Sequence, residues 1–377
     1  MIILLVFKSG KCIKLERDTL PMVIERELPN GSFVRGAMPI SCVMCQQGAK
    51  MVLLVTGKCS HSCYYCPLSS AKKGRDVTYA DELPVKSDDD VIFEARAIGA
   101  RGTGITGGDP LLALGRTIHY IELLKSEFGL KHNIHLYTAT PDPAKIGKLA
   151  NAGLDEIRFH PHPDTWASPL PDFGKAIKTA LDSGMRAGLE IPAMPGMENE
   201  MIALARQMNG EGAEFINLNE LEFSESNWLQ LRAHGFKVKD DVSSAVAGSM
   251  GAAARVAEAL QKDMIVHYCS SSFKDGTQLR NRLMRRAGNT ATGLEIITDE
   301  ATFLKGVIET PEPEMLVAHL KRRYGIPGEL VRFDAPKNRI EIAAWVLEEL
   351  PAGVPGRKFM VWEYPTADRL EVERPRL

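Results

Sequence analysis

The sequence predicts an α/β fold: a partial (β/α) barrel preceded by a β-rich segment and followed by a small α+β domain. Three observations carry this. Apolar, β-branched runs alternate with amphipathic segments through the middle of the chain, which implies a parallel sheet with helical crossovers. Six or seven such units follow one another without a doubly wound nucleotide fingerprint, which favours a barrel over an open sheet. From about Asn289 the pattern turns to short strands, turns and helices rich in Pro and charge.

The elements follow in chain order. The apolar run Met1–Phe7 reads as a strand: Lys8 ends it, no basic segment precedes it, and it falls far short of the ~20 apolar residues of a spanning helix. Residues 1–47 form the β-rich segment and carry a CxxC, Cys42 and Cys45. Within the barrel, 48–288, the strand-like stretches are Met51–Thr56, Gly102–Thr106, Ile134–Thr138, Asp155–His160, Ala187–Pro192, Glu214–Asn219 and Met264–Cys269. Between them Asp88–Ala100, Leu114–Phe128, Pro143–Ala152 and Phe173–Ser183 show the i, i+3, i+4 apolar spacing of helices. Gly153 and Gly184 stand where helix C-caps are expected. Residues 289–377 form the α+β domain.

Composition narrows the function. Of 377 residues, 44% are hydrophobic and 25% charged, ordinary for a soluble protein, and the formal net charge of -2 gives no global attraction to nucleic acid or to an anionic membrane. Seven cysteines stand at 12, 42, 45, 59, 63, 66 and 269. An odd count, crowded between 42 and 66, does not suit a secreted disulfide framework; it points to metal ligation in a reducing cytoplasm.

The decisive segment, Lys58-Cys59-Ser60-His61-Ser62-Cys63-Tyr64-Tyr65-Cys66-Pro67, directly follows the first barrel strand. Three thiolates in a CxxxCxxC loop can ligate three irons of a [4Fe–4S] cluster and leave the fourth iron open. The amino and carboxylate groups of S-adenosylmethionine (SAM) can chelate such an iron and so receive an electron for radical chemistry. A zinc site with His61 as fourth ligand is the bland alternative.

These residues resemble the radical SAM superfamily, whose signature is CxxxCx-aromatic-C after the first barrel strand. The resemblance places Tyr65 against the adenine. It also identifies Thr106-Gly107-Gly108-Asp109-Pro110, after the next strand, as the motif that receives the SAM amino group, with Asp in place of the commoner Glu. More closely, the chain resembles an archaeal family described as related to pyruvate formate-lyase activating enzyme. The stretches that carry this are Gly48–Val52, Cys66–Ser69, Lys73–Val77, Asn219–Glu222 and Glu363–Thr366.

Other strand-end polar residues are candidates for the SAM or substrate cavity: Thr138, Arg158, His160, Glu190, Asn219 and Glu220. Lys72, Lys73 and Arg75 either clamp an anionic group or solvate a loop. A second metal, zinc or an auxiliary [4Fe–4S] cluster, would take Cys42, Cys45, His267 and Cys269, with Cys12 in reserve. His267 and Cys269 share a strand face because the side-chain period is two. Lys274, Arg280, Arg282, Arg285 and Arg286 on a helix at Gly276–Ala287, with Lys321, Arg322 and Arg323, form either a phosphate-binding face or a solvated one.

The expectation is a cytoplasmic radical SAM enzyme, oxidoreductase or transferase, that cleaves SAM reductively to start hydrogen abstraction on a small metabolite or cofactor precursor. Alternatives are radical modification of a tRNA base, glycyl-radical activation of a partner protein, and a non-catalytic metal- or RNA-binding protein. The implied partners are a small molecule and a low-potential electron donor such as ferredoxin or flavodoxin, with no membrane.

Overall fold

Seven parallel strands form the body of the molecule in a computed structural model that describes residues 25–377. They are β1 (Lys50–Leu54), β2 (Gly102–Thr106), β3 (Asn133–Thr138), β4 (Glu156–Phe159), β5 (Arg186–Ala193), β6 (Phe215–Glu220) and β7 (Ile265–Cys269). Each pairs in parallel with its neighbours in chain order. A short hairpin, Tyr79–Ala80 and Leu83–Pro84, adds antiparallel to β1 at one edge. At the other edge Phe33–Arg35 lies antiparallel to β7 and is followed outward by Glu25–Glu27.

The local chemistry explains the crossovers. Ser87 and Asp90 form a capping box at the start of helix Asp88–Ala97, and three aspartates sit in its first turn, where the helix dipole favours negative charge. Helix Leu114–Phe128 matches its predicted span. Gly153 and Gly184 take φ of 104° and 80°, the left-handed conformation that ends a helix without a Cβ clash.

Alternation along the strands sorts the side chains. Met51, Leu53, Ile105, Ile134, Leu136, Ile157, Leu189, Ile191, Ile216 and Leu218 are fully buried, and most belong to the layer under the helices. The barrel interior is polar. In register across the sheet, His135 faces Glu156, Tyr137 faces Arg158, and Asn217 lies between Glu190 and His267. Parallel strands covered on both faces usually read as continuous apolar runs; this polar lining is the departure that makes room for a site.

The C-terminal region has its own sheet, in the order Val331–Asp334, Arg339–Ile342, Phe303–Glu309, Arg357–Glu363 and Glu371–Glu373, with Ile296–Ile297 beside Phe303–Glu309. Helices Pro313–Tyr324 and Ala344–Glu349 pack on it around a separate apolar cluster, which is the expected α+β unit.

Two expectations change. The N-terminal strands extend the barrel's sheet instead of building a unit of their own, and the CxxC lies on a helix, Ile40–Gln46. The strand read at Met1–Phe7 and Cys12 lie outside the described residues. Among the described residues no helix is long and apolar enough to cross a membrane.

Candidate active site

Three segments meet backbone to backbone at the C-terminal mouth of the barrel. Gly108 N–H donates to the Thr56 carbonyl at 2.7 Å, Asp109 N–H to Lys58 at 2.8 Å, and Gly74 N–H to Gly57 at 2.8 Å. A Cβ on Gly107 would stand 2.4 Å from the Thr56 carbonyl oxygen, and one on Gly108 2.2 Å from that of Lys58. The glycine pair therefore lets β2's exit loop lie directly on the base of the cysteine loop, a role beyond the ligand approach expected for it. Gly108→Ala is expected to push the cysteine loop aside. Iron bound after anaerobic reconstitution should fall severalfold, with a stability loss of about 1–3 kcal/mol. Gly115→Ala, whose Cβ meets nothing within 4 Å, should leave both iron content and melting temperature unchanged.

The loop above this base carries Cys59, Cys63 and Cys66, all free thiols, the first exposed and the others half-buried. All three line one cavity of about 490 Å³, together with Tyr65, Thr106, Gly107, Gly108, Thr138 and Glu190. Burial pushes the Cys59 and Cys63 thiols up from their ordinary value. Among the described residues no three His, Cys, Asp or Glu side chains converge as a single metal ion requires. The donor set does suit a [4Fe–4S] cluster, in which each thiolate takes its own iron.

Tyr65 is fixed from both ends. Burial lowers the His160 pKa, so the ring is neutral; its Nδ1–H donates to the Glu190 carbonyl at 2.6 Å, and Nε2 accepts the Tyr65 hydroxyl at 2.8 Å. Asn227 donates to the Tyr65 carbonyl at 2.9 Å and Ser226 to that of Cys66 at 3.2 Å. The loop after β6 thus clamps the cysteine loop, a function nothing in the local sequence signals.

Several candidates find other employment. Asp109 is fully buried and accepts from Thr138 Oγ1 at 2.8 Å, Thr140 Oγ1 at 2.7 Å and Leu111 N–H at 3.0 Å. It ties β2 to β3 and presents no free oxygen to a cofactor. Arg158 is buried between Glu156 and Glu190, donates to Cys42 Sγ at 3.2 Å, and does not line the cavity. Glu190 does line it, held by Arg158 at 2.7 Å, Asn217 at 2.7 Å and Asn219 at 2.5 Å. Glu220 accepts from Ser271 N–H at 2.8 Å and also lies outside the cavity wall.

In the proposed second metal set, two thiols make hydrogen bonds of their own and the histidine makes none. Cys42 Sγ is taken by Arg158, Cys269 Sγ accepts from Gln278 at 3.4 Å, and no three donors converge among the described residues. His267 is buried with both ring nitrogens unpartnered. The basic helix is likewise engaged inward. Arg282 pairs with Asp81 and Glu82, Arg285 donates to the Ile98 carbonyl at 3.1 Å, and Arg280 to that of Asp299 at 2.6 Å. Arg286 pairs with Glu94 at 2.8 Å and reaches the Pro365 carbonyl. These arginines fasten the C-terminal region to the barrel and form no phosphate-binding face.

Sequence reading missed Tyr137, which lines the cavity and also a second one of about 580 Å³ behind it. Its only signal was the His135/Tyr137 spacing of two on a strand.

The radical SAM superfamily model matches residues 53–208, and a domain of unknown function matches 301–377. A chain of Methanocaldococcus jannaschii, provisionally named a glycyl-radical enzyme activating enzyme, is 38% identical over 351 residues, covering 89% of this chain and 92% of that one. Among solved structures, methylornithine synthase is 15% identical with a TM-score of 0.39, over 56% of this chain and 62% of that chain. HydG, a maturase of the [FeFe]-hydrogenase, is 14% identical with a TM-score of 0.38, over 58% and 52%.

Proposed function

The chain belongs to the radical SAM superfamily, and from that premise we propose that it abstracts hydrogen from a small metabolite or cofactor precursor held inside the barrel. It is an enzyme whose cofactors are a [4Fe–4S] cluster and SAM. In this reading Cys59, Cys63 and Cys66 hold the cluster, and Tyr65, Thr106, Gly107, Gly108, Thr138 and Glu190 surround SAM. The observation that carries it is the pair of adjoining cavities: the cysteine-lined one and the second share Thr106 and Tyr137 in their walls. When bound, cluster and SAM supply the reductive cleavage that starts radical chemistry. The chain's own part is to hold and orient. The backbone of Gly107 and Gly108 braces the cysteine loop, His160 fixes the Tyr65 hydroxyl, and Arg158 with two asparagines fixes the Glu190 carboxylate. A low-potential one-electron donor of the ferredoxin or flavodoxin kind would reach the cluster at the exposed Cys59 side.

A second reading, activation of a partner protein by making a glycyl radical, is favoured by the name of the M. jannaschii relative. The second cavity, about 580 Å³ and of ordinary size for a metabolite, favours the small-molecule reading. Against tRNA stand the internally paired arginines of helix Arg280–Thr290.

The test is 5′-deoxyadenosine release by the anaerobically reconstituted enzyme, with host small-molecule extract, host tRNA and host protein in separate reactions. Stimulation severalfold above the unstimulated rate is expected from the small-molecule pool alone. Stimulation by the protein fraction alone would replace this reading with the second.

A further inference from the structure

We propose that the cavity behind Tyr137 binds a small zwitterion of amino-acid type, an inference that rests on the radical reading above and names its substrate class. The cavity, about 580 Å³, is of ordinary size for a metabolite site. Its wall carries one loosely closed pair of opposite charges. Lys274 Nζ and Glu222 Oε1 stand 3.6 Å apart, while the other Glu222 oxygen accepts from Ser271 Oγ at 2.8 Å. Lys274 opens a π-helical turn, Lys274–Leu279, an irregularity frequent at functional sites, which also brings Gln278 to the wall.

Tyr137 lines the same cavity as this pair and enters it as a hydrogen-bond donor. Lys50 Nζ lies 2.9 Å from the Asn133 carbonyl and 2.7 Å from its amide oxygen, both acceptors, so toward His135 Nδ1 at 2.8 Å it donates as well. Burial holds His135 neutral, which leaves its single N–H on Nε2, donating to Tyr137 Oη at 2.7 Å. With that lone pair taken, the phenol hydrogen is free for an acceptor oxygen in the cavity. The two remaining cations are engaged within the protein: Arg282 pairs with Asp81 and Glu82, and the Lys50 hydrogens are held by Thr103, Asn133 and His135. Asp275, at the rim, adds a further carboxylate. One separable Lys–Glu pair, one oxygen-seeking hydroxyl and no other cation with hydrogens to spare complement an ammonium and a carboxylate on one molecule. A phosphate ester needs a further cation with hydrogens to spare, which this wall lacks.

Equilibrium dialysis of the reconstituted full chain against the proteinogenic amino acids, with glucose 6-phosphate and AMP alongside, tests this. At least one amino acid should be retained, no phosphate should be, and S-adenosylhomocysteine should not displace it. Lys274→Met, Glu222→Gln and the near-isosteric Tyr137→Phe should each weaken retention about tenfold, a loss of roughly 1.4 kcal/mol. Melting curves confirm that each variant is folded, and Tyr137→Phe serves if a charge variant is not. Retention of no amino acid, preference for the phosphates, displacement by S-adenosylhomocysteine, or wild-type retention by the folded variants overturns the proposal. Wild-type 5′-deoxyadenosine formation is scored separately. Its absence removes the radical reading, whereas its presence without amino-acid retention removes only the substrate class.

Discussion

Cys63→Ala should abolish SAM cleavage while leaving the fold intact. The side chain is half-buried at the wall of the cysteine-lined cavity, in the middle of the three thiols. Alanine removes one sulfur atom of the three that line this cavity. The packing cost is small, about 1 kcal/mol as for an ordinary substitution. The chemical cost is not: losing a group that acts as one unit with its partners typically lowers a rate by about a thousandfold or more. Bound iron after reconstitution and 5′-deoxyadenosine per chain should fall together, with the far-ultraviolet dichroism unchanged. If the variant formed 5′-deoxyadenosine at the wild-type rate, the cysteine assignment would be wrong.

Lys305→Met should produce the largest loss of stability, confined to the C-terminal region. Lys305 is 1% exposed and pairs with Glu341 at 2.8 Å and Glu363 at 2.5 Å, both equally buried. Removing the cation takes the most deeply buried partner from two carboxylates that keep Arg339 and Arg369, a loss of charge-assisted hydrogen bonds that typically costs about 2–3 kcal/mol. For a unit of this size that is a drop in melting temperature of roughly ten degrees or more. The pH dependence gives a sharper signature. Burial alone would raise both carboxyls, but Lys305 and Arg369 outweigh it and hold Glu341 and Glu363 below the usual 4.5. A depressed carboxylate pKa contributes stability that is fully present above the unfolded value and lost as pH falls through the folded one. The wild type should therefore lose melting temperature as pH drops below about 4.5, and the gap to Lys305→Met should narrow over the same range. A gap that stays constant down to acid pH would show that the network contributes nothing through charge.

The parallel strands were legible because they repeat one pattern, apolar β-branched runs separated by amphipathic segments; Gly102–Thr106 was read to the residue and the others to within two. The cysteine loop was legible because its spacing is local and its chemistry specific. Asp109 was not: in sequence it completes a cofactor motif, but in space Thr138 and Thr140 reach it from the next strand and occupy its oxygens. Arg158 failed for the same reason, since Glu156, two residues away, and Glu190, on the adjacent strand, enclose it. The basic helix misled because a row of arginines looks alike whether its partners are water or Asp81, Glu82 and Glu94.

By itself, then, the sequence determined the fold class and the superfamily, because these depend on hydrophobic periodicity and on cysteines spaced a few residues apart. Only the tertiary structure decided which polar side chains are free to act. Tyr137 became a donor facing a second cavity through His135 and Lys50, and Gly108 became the brace of the cysteine loop through the Lys58 carbonyl. Both roles come from atoms on different strands brought within bonding distance, and no one-dimensional spacing encodes which groups will meet there.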